Sequence, residues 1–259
     1  MRLAFFIEIL ISAISAAPAL AQNSLSAESV DFTIAQGQKN VGKTSYTIRP
    51  NGNRYTVLSH GGIKISQLEY GFSNTETLTQ RLNIASEQLS GKVNGAAANF
   101  AVTPDPPNSK FNLDISANGQ ASSNSVQRNA FTVFFPDFDA SAYLVLLRLS
   151  AQNPNAPFWA LIPKQNGILS PATLAPDADV KGTLNNNPID VKHHELTIGS
   201  VTSDVYSTAD NQLLEVDIFD QGFAIIRNGF QLQAPQKAPA PPQPAPDSTP
   251  QSDPQAQPQ

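Results

Sequence analysis

The sequence predicts a mainly β protein: a strongly curved antiparallel sheet or half-barrel enclosing one apolar helix at about 139–152. Three observations carry this. Five Asn-Gly pairs punctuate the chain, at 51–52, 94–95, 118–119, 166–167 and 228–229, and both residue types tolerate the positive φ of a tight hairpin turn. Between the pairs, apolar and polar residues alternate with period two, as in a sheet buried on one face. One segment breaks that rhythm and is apolar nearly all round.

The chain opens with Arg2, an apolar run, and Ala19-Leu20-Ala21. This is the pattern of a secretory leader cleaved after Ala21, so residues 1–21 are expected to be removed on export to the periplasm or cell exterior. The body follows as one β-rich domain over 22–233. In "SVDFTIAQ", Val30, Phe32 and Ile34 share one face. "TSYTIRP" and "RYTVLSH" flank the first Asn-Gly as a hairpin. "KISQLEYGF", "TLTQRLNI", "FAVTPD" and "KFNLDIS" continue the alternation as further strands.

The helix is expected from about Asp139 to Gln152, with Asp137 or Asp139 capping its start and Asn153-Pro154 stopping it. Ala142, Val145, Leu146 and Leu149 form one stripe, and Tyr143, Leu144 and Leu147 fill most of the rest, leaving Arg148 as the only charge. Such a helix has to be covered on more than one side, which a bent sheet achieves. "APFWALIPK", with the single Trp159, predicts a strand beside it. "HHELTIGSV", "SDVYSTA", "LLEVDIF" and "FAIIRNGF" then return to alternation. From Ala234 the chain holds nine of its 21 prolines and no aromatic residue, the composition of a disordered tail over 234–259; in the alternative reading of a structural or interaction protein, that tail is the spacer or the docking strip for an envelope partner.

The opening "VDFTIAQGQKNVGKTSYTI", the apolar helix and the closing "NQLLEVDIFDQGFAIIRNGF" together resemble uncharacterised bacterial periplasmic β-sheet families and, more distantly, the lipoprotein-carrier (LolA- and LolB-like) superfold. The resemblance spans most of residues 29–230. It implies an incomplete barrel whose concave face, closed by helix, takes acyl chains, and hence a lipid or a lipidated partner. No functional residue carries over, because no motif matches position by position.

Composition excludes much else. The chain has no cysteine, so it has no disulfide, thiolate ligand or thiol nucleophile. The body carries 14 basic and 18 acidic residues, a balance that disfavours nucleic acid as partner. No Gly-x-Ser-x-Gly elbow, phosphate-cradling loop or dinucleotide fingerprint is present, and no cofactor is expected.

The candidate chemistry is "VKHHELTIG". On a strand His193 and Glu195 project together, while His194 joins Lys192 and Leu196 on the other face. With His60, set before Gly61-Gly62, His193 and Glu195 are the candidate ligands of a metal-assisted hydrolase, although zinc takes three or four such groups. The helical zinc-protease pattern fails, because Ile198 stands where its second histidine is required. Carboxylates at Asp137/Asp139, Asp177/Asp179 and Glu215/Asp217/Asp220 are candidates for glycoside chemistry; the bland reading makes them a helix start and the wet face of half-buried strands. The reading preferred from sequence is a non-enzymatic binder of an apolar ligand, with Leu144, Leu147, Trp159 and Leu161 as its lining. The alternative is a structural or interaction protein whose core those same side chains fill.

Overall fold

The computed structural model describes residues 25–164 and 167–233. The expected leader (1–21) and tail (234–259) lie outside the described residues, as does Asn166 of the fourth Asn-Gly pair.

Among the described residues there is one seventeen-stranded sheet, and one α-helix. Eight strands form a meander in which each pairs antiparallel with the next: β1 (Glu28–Gln36), β2 (Lys39–Asn51), β3 (Arg54–Ile65), β4 (Leu68–Thr79), β5 (Ile84–Val93), β6 (Ala96–Asp105), β7 (Lys110–Ala117) and β8 (Gln120–Gln127). The short β9 (Thr132–Phe134) leads to the helix α1 (Ala140–Gln152), and β10 (Phe158–Ile162) returns parallel to β9. The strands β11 (Ile168–Pro176), β13 (Asn187–Ile198), β14 (Val201–Ser207), β15 (Leu213–Ile218) and β16 (Phe223–Arg227) continue antiparallel, and β16 joins β1. The wall therefore runs from β8 back through β1 to β16 and on to β9, leaving β8 and β9 as its two edges. It is a half-barrel, as the alternation predicts.

Where the turns fall follows backbone chemistry. Asn94-Gly95 and Asn118-Gly119 close hairpins with all four residues at positive φ (49°, 85°, 52° and 76°), as the twist-matched turn requires. Asn51-Gly52 also stands at a hairpin. Asn228-Gly229 does not: it joins β16 to β17 (Phe230–Leu232), which leaves the wall to pair with β12 (Val180–Leu184). "KISQLEYGF" and "TLTQRLNI" are each divided by a turn rather than forming single strands. The strands β12 and β17 make a flap over β13 with its own small core of Val191, Tyr206, Leu214 and Phe230.

Curvature depends on close backbone approach in the first hairpins. A Cβ on Gly42 would stand 2.1 Å from the Gly62 carbonyl oxygen, and one on Gly62 would stand 2.4 Å from that of Tyr70. Only glycine fits at either position.

The hollow of the wall holds α1. Asp139 caps the helix, accepting from the Ser141 amide at 2.9 Å. At the other end the Asn153 side-chain amide donates to the Leu149 carbonyl at 3.1 Å. Every residue from Ala140 to Leu149 is buried, so the helix is covered all round, and Arg148 is buried with the rest. The opposing inner face is equally closed in its middle. Ile48, Val57, Glu76, Glu87, Val102 and Leu113 face one another across six strands, none more than 2% exposed. Two glutamates thus occupy positions where the pattern calls for apolar residues.

Candidate functional site

One end of the wall, the mouth, carries the β1–β2, β3–β4, β5–β6 and β7–β8 turns together with the β13–β14 and β15–β16 connections. A strap, Phe135 to Phe138, crosses this mouth on its way from β9 into α1. The Phe135 amide donates to the Leu161 carbonyl at 2.9 Å, and its ring meets Tyr143 edge to face at 5.0 Å. Phe138 sits at φ 61°, a strained setting for a bulky side chain that neighbours have to hold in place. Its ring lies 5.0 Å from Phe223 and 6.2 Å from Tyr70. At the strap's outer side Asp137 pairs with Lys164 at 2.8 Å.

The strap divides the mouth into two clefts. The larger, about 380 Å³, has a floor of Leu68, Tyr70, Leu89, Phe100 and Ile115 from β4 to β7, with Phe138 as one wall and the Asp137–Lys164 pair at its rim. The smaller, about 130 Å³, lies beside Tyr143, Leu196, Ile198, Val201 and Ile218. Leu68, Tyr70, Leu89 and Ile115 are only partly buried although they belong to the inner, core-facing side. The helix does not extend over them, so the sheet here presents apolar surface to an opening instead of to a partner. A mostly apolar concavity of this size with a few polar groups at its edge suits a small apolar ligand.

Behind the strap lies a closed polar cluster. The Asp139 carboxylate accepts from Ser59 Oγ and Ser141 Oγ, both at 2.6 Å, and from Asn74 Nδ2 at 3.5 Å. Burial raises its pKa, against the lowering effect of these donors. Glu76 and Glu87 stand side by side on β4 and β5. Burial pushes Glu76 up to about 7, and burial with the neighbouring Glu76 charge raises Glu87 well above the ordinary carboxylate range. Both carboxyls are buried, and neither lines either mouth cleft.

The residues singled out from sequence lie elsewhere. Leu144 and Leu147 on α1 and Leu161 on β10 are buried in the core, and Trp159 is half-buried; none of the four lines either cleft. His193 stacks on Tyr206 at 4.7 Å, its Nε2 3.1 Å from Asp204 and its Nδ1 3.4 Å from Asp177. Each ring nitrogen thus faces a carboxylate, although Nε2 makes no hydrogen bond. Glu195 is exposed opposite Asp204. His60 is on β3, with Ser45 Oγ 3.1 Å from its Nε2, and five strands separate it from β13. The three are not brought together, and among the described residues no group of three or more His, Asp or Glu side chains is placed to hold a metal.

Two carboxylate readings change. Asp139 is a fully buried cap rather than a solvated helix start. Glu215 does not lie on a wet face: it is 9% exposed, beside the flap, where burial and then Asp217 raise its pKa to about 7. The apolar floor of the groove had a weak signal in the alternation of β4 to β7; what the sequence lacked was which part of the inner face the helix would leave uncovered. Comparison with family models, curated proteins and solved structures gives no match for this chain.

Proposed function

We propose that this protein is a non-enzymatic carrier that holds an apolar chain, of acyl type, in the groove between β4–β7 and the strap. The observation that carries this reading is the uncovered inner face. Leu68, Tyr70, Leu89 and Ile115 occupy core-facing positions, yet face a cavity of about 380 Å³ rather than the helix, within the range of roughly 300–1,000 Å³ that small-ligand sites occupy. Ligand seating there would remove apolar surface from water at about 25 cal/mol per Å². The Asp137–Lys164 pair at the rim gives a polar end group a place to sit. The N-terminal leader pattern supports placing this activity outside the cytoplasm, where an apolar molecule needs cover from water.

The test is titration with dansyl-undecanoic acid, read by fluorescence. Saturable binding is expected, weakened at least tenfold by Ile115→Arg or Leu89→Arg, since each sets a charge against the chain. Leu161→Met, in the closed core, is expected to leave binding unchanged. A flat titration, or equal binding by all variants, rejects the carrier reading.

A further inference from the structure

A carrier of apolar chains has to meet the surface that supplies them, and the distribution of exposed apolar residues marks where. Among the described residues the large hydrophobic side chains that stand exposed are Val93 (42%), Val201 (37%) and Phe219 (57%). All three sit at the mouth: Val93 at the β5–β6 turn, Val201 just after the β13–β14 turn, and Phe219 at the 3₁₀ turn following β15. Val93 and Val201 also line the larger and smaller cleft respectively. The opposite end of the wall exposes none.

These tips are held in place. The Gly37 amide donates to the Gly222 carbonyl at 3.2 Å, tying the β1–β2 turn to the turn that carries Phe219. The Asn94 amide donates to the Glu69 carbonyl at 2.7 Å, and Asn94 Oδ1 accepts from the Glu69 amide at 2.8 Å, tying the β5–β6 turn to β4. The rim is thus a preorganised ring rather than a set of loose loops.

Charge at the rim selects the partner. Lys64 pairs with Glu69 and Lys164 with Asp137, but among the described residues Lys39, Lys43 and Lys92 make no ion pair. Lys43, Lys64 and Lys92 surround a trough of about 380 Å³ floored by Gly42, Gly62 and Gly71, next to the mouth. In a chain of net charge −5, cations here run against the overall sign. Arginines also crowd the far end, so charge alone does not single out the mouth; the coincidence of cations with exposed apolar tips does. Lys92 stands beside Val93 and Asp220 beside Phe219; exposed apolar tips that share a rim with several lysines are the composition of a surface that rests in the headgroup layer of an anionic bilayer.

We propose that the mouth docks on the surface of an anionic phospholipid bilayer, Val93, Val201 and Phe219 entering the headgroup layer while Lys39, Lys43 and Lys92 meet phosphates. This rests on the carrier reading and adds to it the face by which cargo enters.

Because the chain has no cysteine, single cysteines report position uniquely. Gln67→Cys, at a mouth turn, and Asn108→Cys, at the far end, are each labelled with the fluorophore NBD in the full chain. Vesicles of phosphatidylcholine with 3:7 phosphatidylglycerol are compared with phosphatidylcholine alone. The mouth label is expected to brighten and blue-shift with the mixed vesicles only, and the far label with neither, so insertion through residues 1–21 does not mimic the result. Phe219→Ser should weaken the response about tenfold, and Lys43→Gln with Lys92→Gln about 25-fold. A silent mouth label, equal response at both ends, or concentration-dependent dimers abolished by Phe219→Ser would overturn the proposal, the last in favour of a second copy as occupant. Ile115→Arg separates the two readings: docking without dansyl-undecanoate binding shows the rim active and the groove blocked, whereas dansyl binding by wild type with a silent mouth label sinks docking alone.

Discussion

The inside of this half-barrel is two surfaces with opposite fates. Beneath α1, side chains of β1–β3, β15 and the helix interlock with little or no exposure. On the inner face of β4–β7 near the mouth, residues of the same chemistry, Leu68, Leu89 and Ile115, stay partly open. Alternation is alike in both regions, so hydrophobic patterning does not distinguish closed core from open groove. The reach of one thirteen-residue helix does.

The contrast is sharpest in its energetics. Leu147→Ala, on the buried helix itself, is expected to lower stability by about 3–5 kcal/mol, since it leaves a cavity in close-packed surroundings. Urea unfolding checks this, and dansyl-undecanoate affinity of the folded fraction should not change. Next in size is Asp139→Ala, which removes the cap and leaves Ser59 and Asn74 without their acceptor. A loss of about 2–3 kcal/mol is expected, with weaker dansyl binding as the strap loosens.

The carboxyl pair gives a third, pH-dependent measurement. The folded-state pKa of Glu76 is about 7 against an ordinary value of 4.5. The unfolded chain therefore ionises first, and wild-type stability falls as pH rises from about 4.5 to 7. Glu76→Gln removes that term. Its stability relative to wild type should improve by about 2–3 kcal/mol between pH 4 and pH 8, as thermal unfolding at the two pH values would show. A constant difference would mean that the pair ionises as freely in the folded state as in the unfolded. The smallest effect belongs to the open region: Leu89→Ala should cost under about 1 kcal/mol in stability while weakening dansyl binding severalfold. If it destabilises as much as Leu147→Ala, the groove is core and the contrast collapses.

Much of this was legible in the sequence, and the misses have physical reasons. Asp139 at one end and Asn153-Pro154 at the other fix the helix within a residue, because caps are local chemistry. Val30, Phe32 and Ile34 likewise point inward as their spacing predicts. β8, reading "QASSNSVQ", has no apolar alternation because almost all of it is exposed at an edge. Glu215 reads as wet because its neighbours on the strand are apolar; the flap that covers its face comes from residues 180–184 and 230–232, and no local pattern reveals such a partner. Leu144, Leu147, Trp159 and Leu161 read equally as lining or as core, because large apolar residues look alike whether packed or open.

On the carrier reading proposed above, the unjoined edges of the wall bear on which cargo fits. Among the described residues no ladder links β8 to β9 or to the strands that follow α1, so apart from the chain link 128–131 the two margins of the wall are not held by a run of backbone hydrogen bonds. A sealed cylinder fixes the girth of its contents; a slit one tolerates guests of differing bulk, and its range of acceptable cargo is set by how far the seam can spread before side-chain contacts across it are lost.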